Sequence, residues 1–411
     1  MSRDDGDGPT RGHEYPEELA PADSASGELP DAASQIATPR SARGGDNGTN
    51  GTDGHDDGAP EQPVAFTRRF REVRQAVGAL EKVLLQGERL YSRRDLAEQQ
   101  GVPERLTSVY WRSLGFLAVD EDTVVFTEED AYAIGDLAAL VEDGEISERT
   151  FANISRGLGF HMGRLAMWLT EALVDEAKAV HGLSDAEARQ HMLEEIPGFL
   201  ETFETQTLYA FRRQMAAFSA RAGSEVLRSD GDANELYPLQ RAVGFADLVQ
   251  FTRLSLSLTG SELADVIGEF EAICRDVISV GGGRVVKTVG DEVMFLADAP
   301  EDGAQIALSL AEQISDRQGR LPAVRVGLAW GPMFSRYGDV FGPTVNLAAR
   351  LEGIADPGEV LVDLATAEAV AAALPGGFRS REKEAVELHG IGEMPVAALT
   401  RQDAPPLSLS L

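Results

Sequence analysis

Two aspartates, a lysine–aspartate pair and an asparagine–arginine pair stand out in the second half of this 411-residue chain. Val243-Gly-Phe-Ala-Asp247 places a carboxylate at the end of an apolar run, where a strand should finish. The turn behind it, Leu248 to Thr252, offers backbone amides to a phosphate. Lys287-Thr-Val-Gly-Asp291 sets a second carboxylate at a hairpin tip, where it can face the first. In the run from Asp339 to Arg350, Asn346 and Arg350 are four residues apart and so share a helix face. Paired carboxylates suit hard divalent cations, and a guanidinium fork matches phosphoryl oxygens. Together these parts point to in-line chemistry at a phosphate, with metal ions and a fixed cation stabilising the charge that builds there. Singly, each has a plainer reading. The aspartates would be solvated turn residues, Lys287 a strand-face charge, and Asn346 with Arg350 an exposed helix pair. Their order and spacing along one chain argue against coincidence.

The elements that must hold these groups can be read from periodicity. Gln240 to Leu248 reads as a buried strand. Ser261 reads as the cap of a helix whose apolar face runs from Leu263 to Val277 and which stops at Gly281-Gly-Gly. Arg284–Thr288 and Glu292–Leu296 form a hairpin around Gly290-Asp291. A helix from Asp302 to Arg317 follows, then two strands flanking Gly331-Pro332 and a helix starting near Thr344. A strand Glu359–Val362, a helix Ala365–Ala373 and final strands within Val386–Leu399 complete the domain. The order β-α-β-β-α-β with additions is an α+β, ferredoxin-like arrangement.

In the same order and spacing, Gly244-Phe-Ala-Asp247, Lys287-Thr-Val-Gly-Asp291, Arg325-Val-Gly-Leu and Phe341-Gly-Pro-Thr-Val-Asn346-Leu-Ala-Ala-Arg350-Leu resemble the class III nucleotide cyclase catalytic domain. The resemblance implies an adenylate cyclase, turning ATP into cyclic AMP and pyrophosphate. It implies that Asp247 and Asp291 bind two divalent metal ions, Mg²⁺ or Mn²⁺. Lys287 would meet adenine N1 and Asp339 the 6-amino group; Asn346 would orient the ribose, and Arg350 would be the transition-state cation. In the family the site lies between two catalytic domains, so a chain with all six groups implies a homodimer with two equivalent sites. Trp330, Glu292 and Val293 depart from residue types common in relatives, without touching the six. Val289-Gly-Asp-Glu-Val293 also resembles the signature of diguanylate cyclases, and a catalytically degenerate signalling module is a further alternative. The first leaves Lys287, Asp339, Asn346 and Arg350 unexplained.

The rest of the chain divides by composition. Residues 1–64 are rich in Asp, Gly, Ser, Pro and Thr, carry about ten net negative charges and hold too little apolar surface to order, so a disordered acidic tail is expected. Residues 65–228 read as helical. Phe66 to Leu84 repeats at helical spacing, a helix-turn-helix spans Tyr91 to Phe116, and a short strand is expected at Thr123–Phe126, with Thr127 capping the next helix. Helices Glu148–Glu176, Ser184–Met192 and Pro197–Arg221 follow. A linker 229–238, the catalytic domain 239–403 and a C-terminal tail 404–411 complete the plan. Residues 65–228 resemble, less strongly, the regulatory domain that precedes some actinobacterial adenylate cyclases. That resemblance implies regulation by protons or a small molecule, with His161, His181 and His191 as the titratable candidates in the useful range. The helix-turn-helix also resembles that of MerR-type regulators, but its arginines are offset by acidic neighbours. The crowd Phe160, Met162, Leu165, Met167 and Trp168 reads as core, with an apolar ligand site as the alternative.

Bulk composition agrees. A formal net charge of -31 excludes a general binder of nucleic acid or anionic membranes, though not of ATP with metal. A hydrophobic fraction of 43% supports real cores. The lone Cys274, the absence of a signal sequence and the lack of any membrane-length apolar run suggest a cytoplasmic protein.

Overall fold

The computed structural model describes residues 62–228, 239–317 and 320–408. The expected acidic tail up to residue 61 and the expected linker 229–238 lie outside the described residues. The first part is all helix: α1 (Gln62–Leu84), α2 (Arg93–Gln100), α3 (Glu104–Ser113), α4 (Glu128–Glu142), α5 (Glu148–His181) and α6 (Asp185–Arg228). Local signals start and stop these elements. Ser92 with Asp95, and Thr127 with Asp130, form reciprocal capping boxes, and Gly101 ends α2 at φ 68°. Leu96, Val102, Phe126, Ala131 and Ile134 make a small core there.

Two expectations fail in this part. No strand forms at Thr123–Phe126; a single bridge joins Tyr91 to Phe126. The pairing cannot lengthen because the next residue on each side, Ser92 and Thr127, is already committed to capping a helix. Instead of two helices after Ser184, one 44-residue helix runs through Pro197. Ser184 caps it through Glu187, and Leu193-Glu-Glu-Ile196 offers neither cap nor glycine to begin another. The helix therefore absorbs the lost hydrogen bond at proline.

The second part carries β1 (Leu239–Leu248), α7 (Phe251–Ser255), α8 (Gly260–Val280), β2 (Arg284–Val289), β3 (Glu292–Ala297), α9 (Pro300–Ser315), β4 (Val324–Arg336), β5 (Asp339–Phe341), α10 (Pro343–Ile354), β6 (Val360–Asp363), α11 (Leu364–Ala373), β7 (Phe378–Glu382), β8 (Val386–Leu388), β9 (Gly392–Met394) and β10 (Val396–Arg401). The main sheet runs β2-β3-β1-β4-β6-β10-β7, with β5 on β4. Among the described strands only β4 and β6 are parallel neighbours. A mixed α/β domain therefore follows a helical region, as expected. Ala242, Ala246 and Leu248 of β1 pack with α8 and α9, while Val243 and Phe245 pack with α10. Burial on both faces explains the unbroken apolar run that marks β1 in the sequence.

Thr259, not Ser261, caps α8, because Glu262 at the third helical position closes the box with it. Gly331-Pro332 does not separate two strands; β4 passes straight through. The amides of Val326 and Trp330 point away from β1, to Glu359 O and Thr366 Oγ1. Pro332 shares their parity, so its missing N–H costs β1 no bond. The segment set apart as a C-terminal tail packs back: Ala404 is buried and Leu407 lies on the core.

Candidate active site

The end of β1 brings three charged residues into register. Asp247 lies opposite Glu292 on β3 and opposite Arg325 on β4. Arg325 donates from Nε (3.1 Å) and Nη2 (2.7 Å) to Asp247 Oδ2, a charge-assisted pair on a largely buried carboxylate. Asp291 sits beside it at the β2–β3 turn, where Gly290 takes φ 65° and Leu248 N donates to Asp291 O at 3.2 Å. Burial raises the Asp291 carboxyl above the usual range; its own backbone amide opposes this, and the Asp247 charge adds to the rise. Glu292 is raised for the same reasons, burial first and then Asp247 and Asp291. Carboxylates pressed together this way fit a divalent cation, which would relieve their repulsion. No set of three or more ligating side chains occurs among the described residues, so two aspartates would leave room for phosphate oxygens and water.

Lys287 and Asp339 also meet: Nζ donates to Oδ2 at 2.6 Å, across β2 and β5. The register of β2 slips between Val285 and Lys287, a local irregularity of the kind that re-aims a side chain. Asn346 and Arg350 project from one face of α10; both are exposed, and among the described residues neither side chain is hydrogen-bonded or ion-paired. The turn after Asp247 is less free than its sequence suggests. Leu248 N and Val249 N already donate to Asp291 O and Ala323 O, so these two amides cannot cradle phosphate.

Sequence reasoning assigned Arg325 no role and passed over Glu352. Glu352, on α10, is 6% exposed and has Oε1 2.7 Å from Arg325 Nε. The Nε hydrogen is directed at Asp247, so among the described residues Glu352 Oε1 is ion-paired with Arg325 but receives no well-aligned hydrogen bond. Only Gly327 allows this approach: a Cβ there would stand 2.2 Å from Glu352 N. The Arg–x–Gly spacing was the available signal, since residues i and i+2 of a strand share a face. Burial pushes the Glu352 carboxyl up to about 7 against the pull of Arg325, with Asp247 and Glu292 reinforcing the rise. The fold thus favours the neutral acid. Glu352 contributes stability that is present below its unfolded value of 4.5 and is lost as pH climbs towards 7. Metal-free melting curves between those pH values should show this slope, about 3 kcal/mol at most, and Glu352→Gln should flatten it.

The regulatory candidates do not form one cluster. His181 and His191 stack edge to face at 5.1 Å, near the turn between α5 and α6. His161 lies apart, with Nε2 3.8 Å from the point where Gly338 would carry a Cβ. Phe160, Met162, Met167 and Trp168 are exposed on α5, so they are neither core nor a closed ligand site. Their helical spacing gave the face but not its neighbour. A cavity of about 210 Å³ lies by Trp111 and Phe126, and another of about 580 Å³ by Leu308 and Arg401; neither includes the residues above. Among the described residues no helix is long and apolar enough to cross a membrane.

Residues 240–400 match the family described as the adenylate and guanylate cyclase catalytic domain. An adenylate cyclase of Glutamicibacter nicotianae is 41% identical over 304 residues, 72% of this chain and 75% of that protein. One from Streptomyces coelicolor is 38% identical over 70% of this chain and 74% of its own length. A pH-sensitive adenylate cyclase of Mycobacterium tuberculosis is 29% identical, over 68% and 70%. Among solved structures, the adenylyl cyclase CyaB of P. aeruginosa aligns at TM-score 0.34 with 23% identity, covering 40% of this chain and 94% of that one.

Proposed function

This chain belongs to the class III nucleotide cyclases, as an adenylate cyclase that converts ATP to 3′,5′-cyclic AMP and pyrophosphate, and on that premise we propose how its residues divide the work. Enzymes of this family use divalent metal ions. The assignment of Asp247 and Asp291 as their ligands rests on one observation: two carboxylates held side by side, one at the end of β1 and one at the β2–β3 turn, with Asp291 raised by burial and, after it, by the charge of Asp247. Two bound Mg²⁺ or Mn²⁺ ions would neutralise the triphosphate and favour ionisation of the ribose 3′-hydroxyl. Lys287 donates to adenine N1 and Asp339 accepts from the 6-amino group; before ATP arrives they satisfy each other. Asn346 orients the ribose and Arg350 faces the phosphoryl charge. Their exposure on α10, without side-chain partners among the described residues, supports a site completed by a second copy. A two-fold homodimer gives two such sites. A cytoplasmic location belongs to the same reading.

The relatives named as adenylate cyclases disfavour both the diguanylate-cyclase-like and the degenerate alternatives. The test is product analysis with Mn²⁺ or Mg²⁺: cyclic AMP from ATP and no cyclic di-GMP from GTP. Cyclic di-GMP, or no turnover by a folded dimer, would refute the reading.

Residues 65–228 regulate the cyclase on this reading, and α5 is the point of contact. Asn153 Nδ2 donates to the Tyr337 hydroxyl at 3.1 Å. Tyr337 takes φ 55° in the turn that leads to Asp339, and Arg336 lies over its ring at 4.9 Å. Trp168 of α5 also receives Arg275 of α8 on its ring, at 5.2 Å. A shift of α5 would therefore reach the adenine pair directly. His161, at the same turn, is the best placed of the three histidines to make that shift pH-dependent, a property named for the mycobacterial relative. Asn153→Ala should change cyclase activity roughly three- to ten-fold, the scale of one hydrogen bond, without altering the preference for ATP. An unchanged rate across pH 5 to 8 would remove α5 as the coupling element.

A further inference from the structure

The helix that carries Asn346 and Arg350 is seated on β4 at two glycines. A Cβ at Gly327 would stand 2.2 Å from Glu352 N and 2.3 Å from Ala348 O, and one at Gly331 would stand 2.7 Å from Thr344 Oγ1. An even spacing puts both glycines on one face of β4. The strand from Gly327 to Gly331 spans about 13 Å, and the helix from Thr344 to Glu352 rises about 12 Å, so α10 lies flat and antiparallel along β4. Thr344, Ala348 and Glu352 are buried against the strand, while Asn346 and Arg350 are exposed on the opposite side of the helix.

The glycines set how near α10 comes; the Thr344 hydroxyl sets where it stops along the strand. Oγ1 donates to Pro332 O at 2.9 Å, from a residue only 4% exposed. That carbonyl needs a partner from outside the sheet, because the pairing of β4 with β6 runs only from Val326 to Leu328. The preceding amide on the same edge, Trp330 N, is likewise met by a threonine, Thr366 of α11. Gly342, at the cap position of α10, has no side chain to hold this end of the helix. We propose that Thr344 is a positioning residue for cyclisation: its hydroxyl, bonded to Pro332 O in the space that Gly331 leaves, fixes α10 along β4 and so fixes where Asn346 and Arg350 stand against the carboxylates of the second copy. The proposal rests on the reading of Asn346 and Arg350 as parts of a site shared by two copies. A slide of about 1 Å is enough to matter, since misplacement on that scale costs about a hundred-fold in rate.

The test compares Thr344→Val, which keeps the shape and removes the hydroxyl, with Thr344→Ser, which keeps the hydroxyl and removes a methyl group, in the full chain with ATP and Mn²⁺. Thr344→Val should lower kcat and kcat/KM together by roughly ten- to a hundred-fold, as when only the transition state loses a contact. Thr344→Ser should retain most of the rate, whereas a packing role predicts the reverse order. Mixing of copies then shows which half of the site is affected. Combined with Asp291→Ala, a Thr344→Val chain supplies carboxylates to an unaltered α10, and activity should rise to about a quarter of the unaltered level. Combined with Arg350→Ala it should show no such recovery, because both chains are then defective on α10. Recovery with Arg350→Ala, none with Asp291→Ala, an unchanged rate in Thr344→Val, or a Thr344→Ser chain as slow as Thr344→Val would overturn the proposal. If Thr344→Val does not fold, Gly331→Ala, which drives a methyl group against the same hydroxyl, takes its place in both mixtures. Should Asp291→Ala and Arg350→Ala fail to restore each other, the shared-site reading falls, while the rates of Thr344→Val and Thr344→Ser still decide the role of the hydroxyl.

Discussion

Asp291→Ala is expected to lower cyclic AMP formation by at least about a thousand-fold, the scale on which removing a principal charge-stabilising group acts at a phosphoryl centre. The loss should appear in the rate at saturating Mn²⁺ as well as in metal affinity, because the position of the phosphates depends on both carboxylates. A folding defect would give the same rate, so a second variant separates the two. Asp291→Asn removes the repulsion from Asp247 and should melt no lower than the unaltered chain in EDTA. An inactive chain with an undiminished melting temperature places the defect in the chemistry. Normal turnover by Asp291→Ala would remove Asp291 from the site.

Lys287→Glu should have the next largest effect. Adenine offers an acceptor at N1 and a donor at the 6-amino group, whereas guanine offers a donor at N1 and an acceptor at O6. Lys287 and Asp339, a donor and an acceptor 2.6 Å apart, match the first pattern. Reversing the donor should cut kcat/KM for ATP by about a thousand-fold, since a site built to hydrogen-bond one edge rejects the other strongly. The ratio of GTP to ATP turnover should rise at least about a hundred-fold. Competition between the two nucleotides measures it. A loss shared equally by ATP and GTP would mean that Lys287 acts on the triphosphate or on folding, not on the base.

The catalytic half was far more legible than the helical half, for a physical reason. Asp247 and Asp291 were recognisable because an apolar strand and a glycine hairpin are local signals, and register then forces them together. The capping box at Thr127 was legible on the same ground. Glu352 was not, because what makes it matter is a close approach of α10 to β4 that only Gly327 permits, and one glycine in a strand does not announce its neighbour. Pro332 misled because proline ends most strands; its harmlessness depends on which way an amide points, which needs the sheet. The exposed apolar face of α5 misled for a related reason. Periodicity reports that a stripe exists, not that anything covers it. The contact between Asn153 and Tyr337 joins positions 184 apart and left no trace in the sequence.

Complementation tests the shared site most directly. Asp291→Ala and Arg350→Ala chains, each inactive alone, would be mixed under conditions that let dimers exchange, with cyclic AMP measured from ATP. If one copy supplies the carboxylates and the other the arginine, half the dimers in an equal mixture carry one complete site, so activity should return to about a quarter of the unaltered level. A mixture that forms mixed dimers yet stays inactive would contradict a site built from two copies.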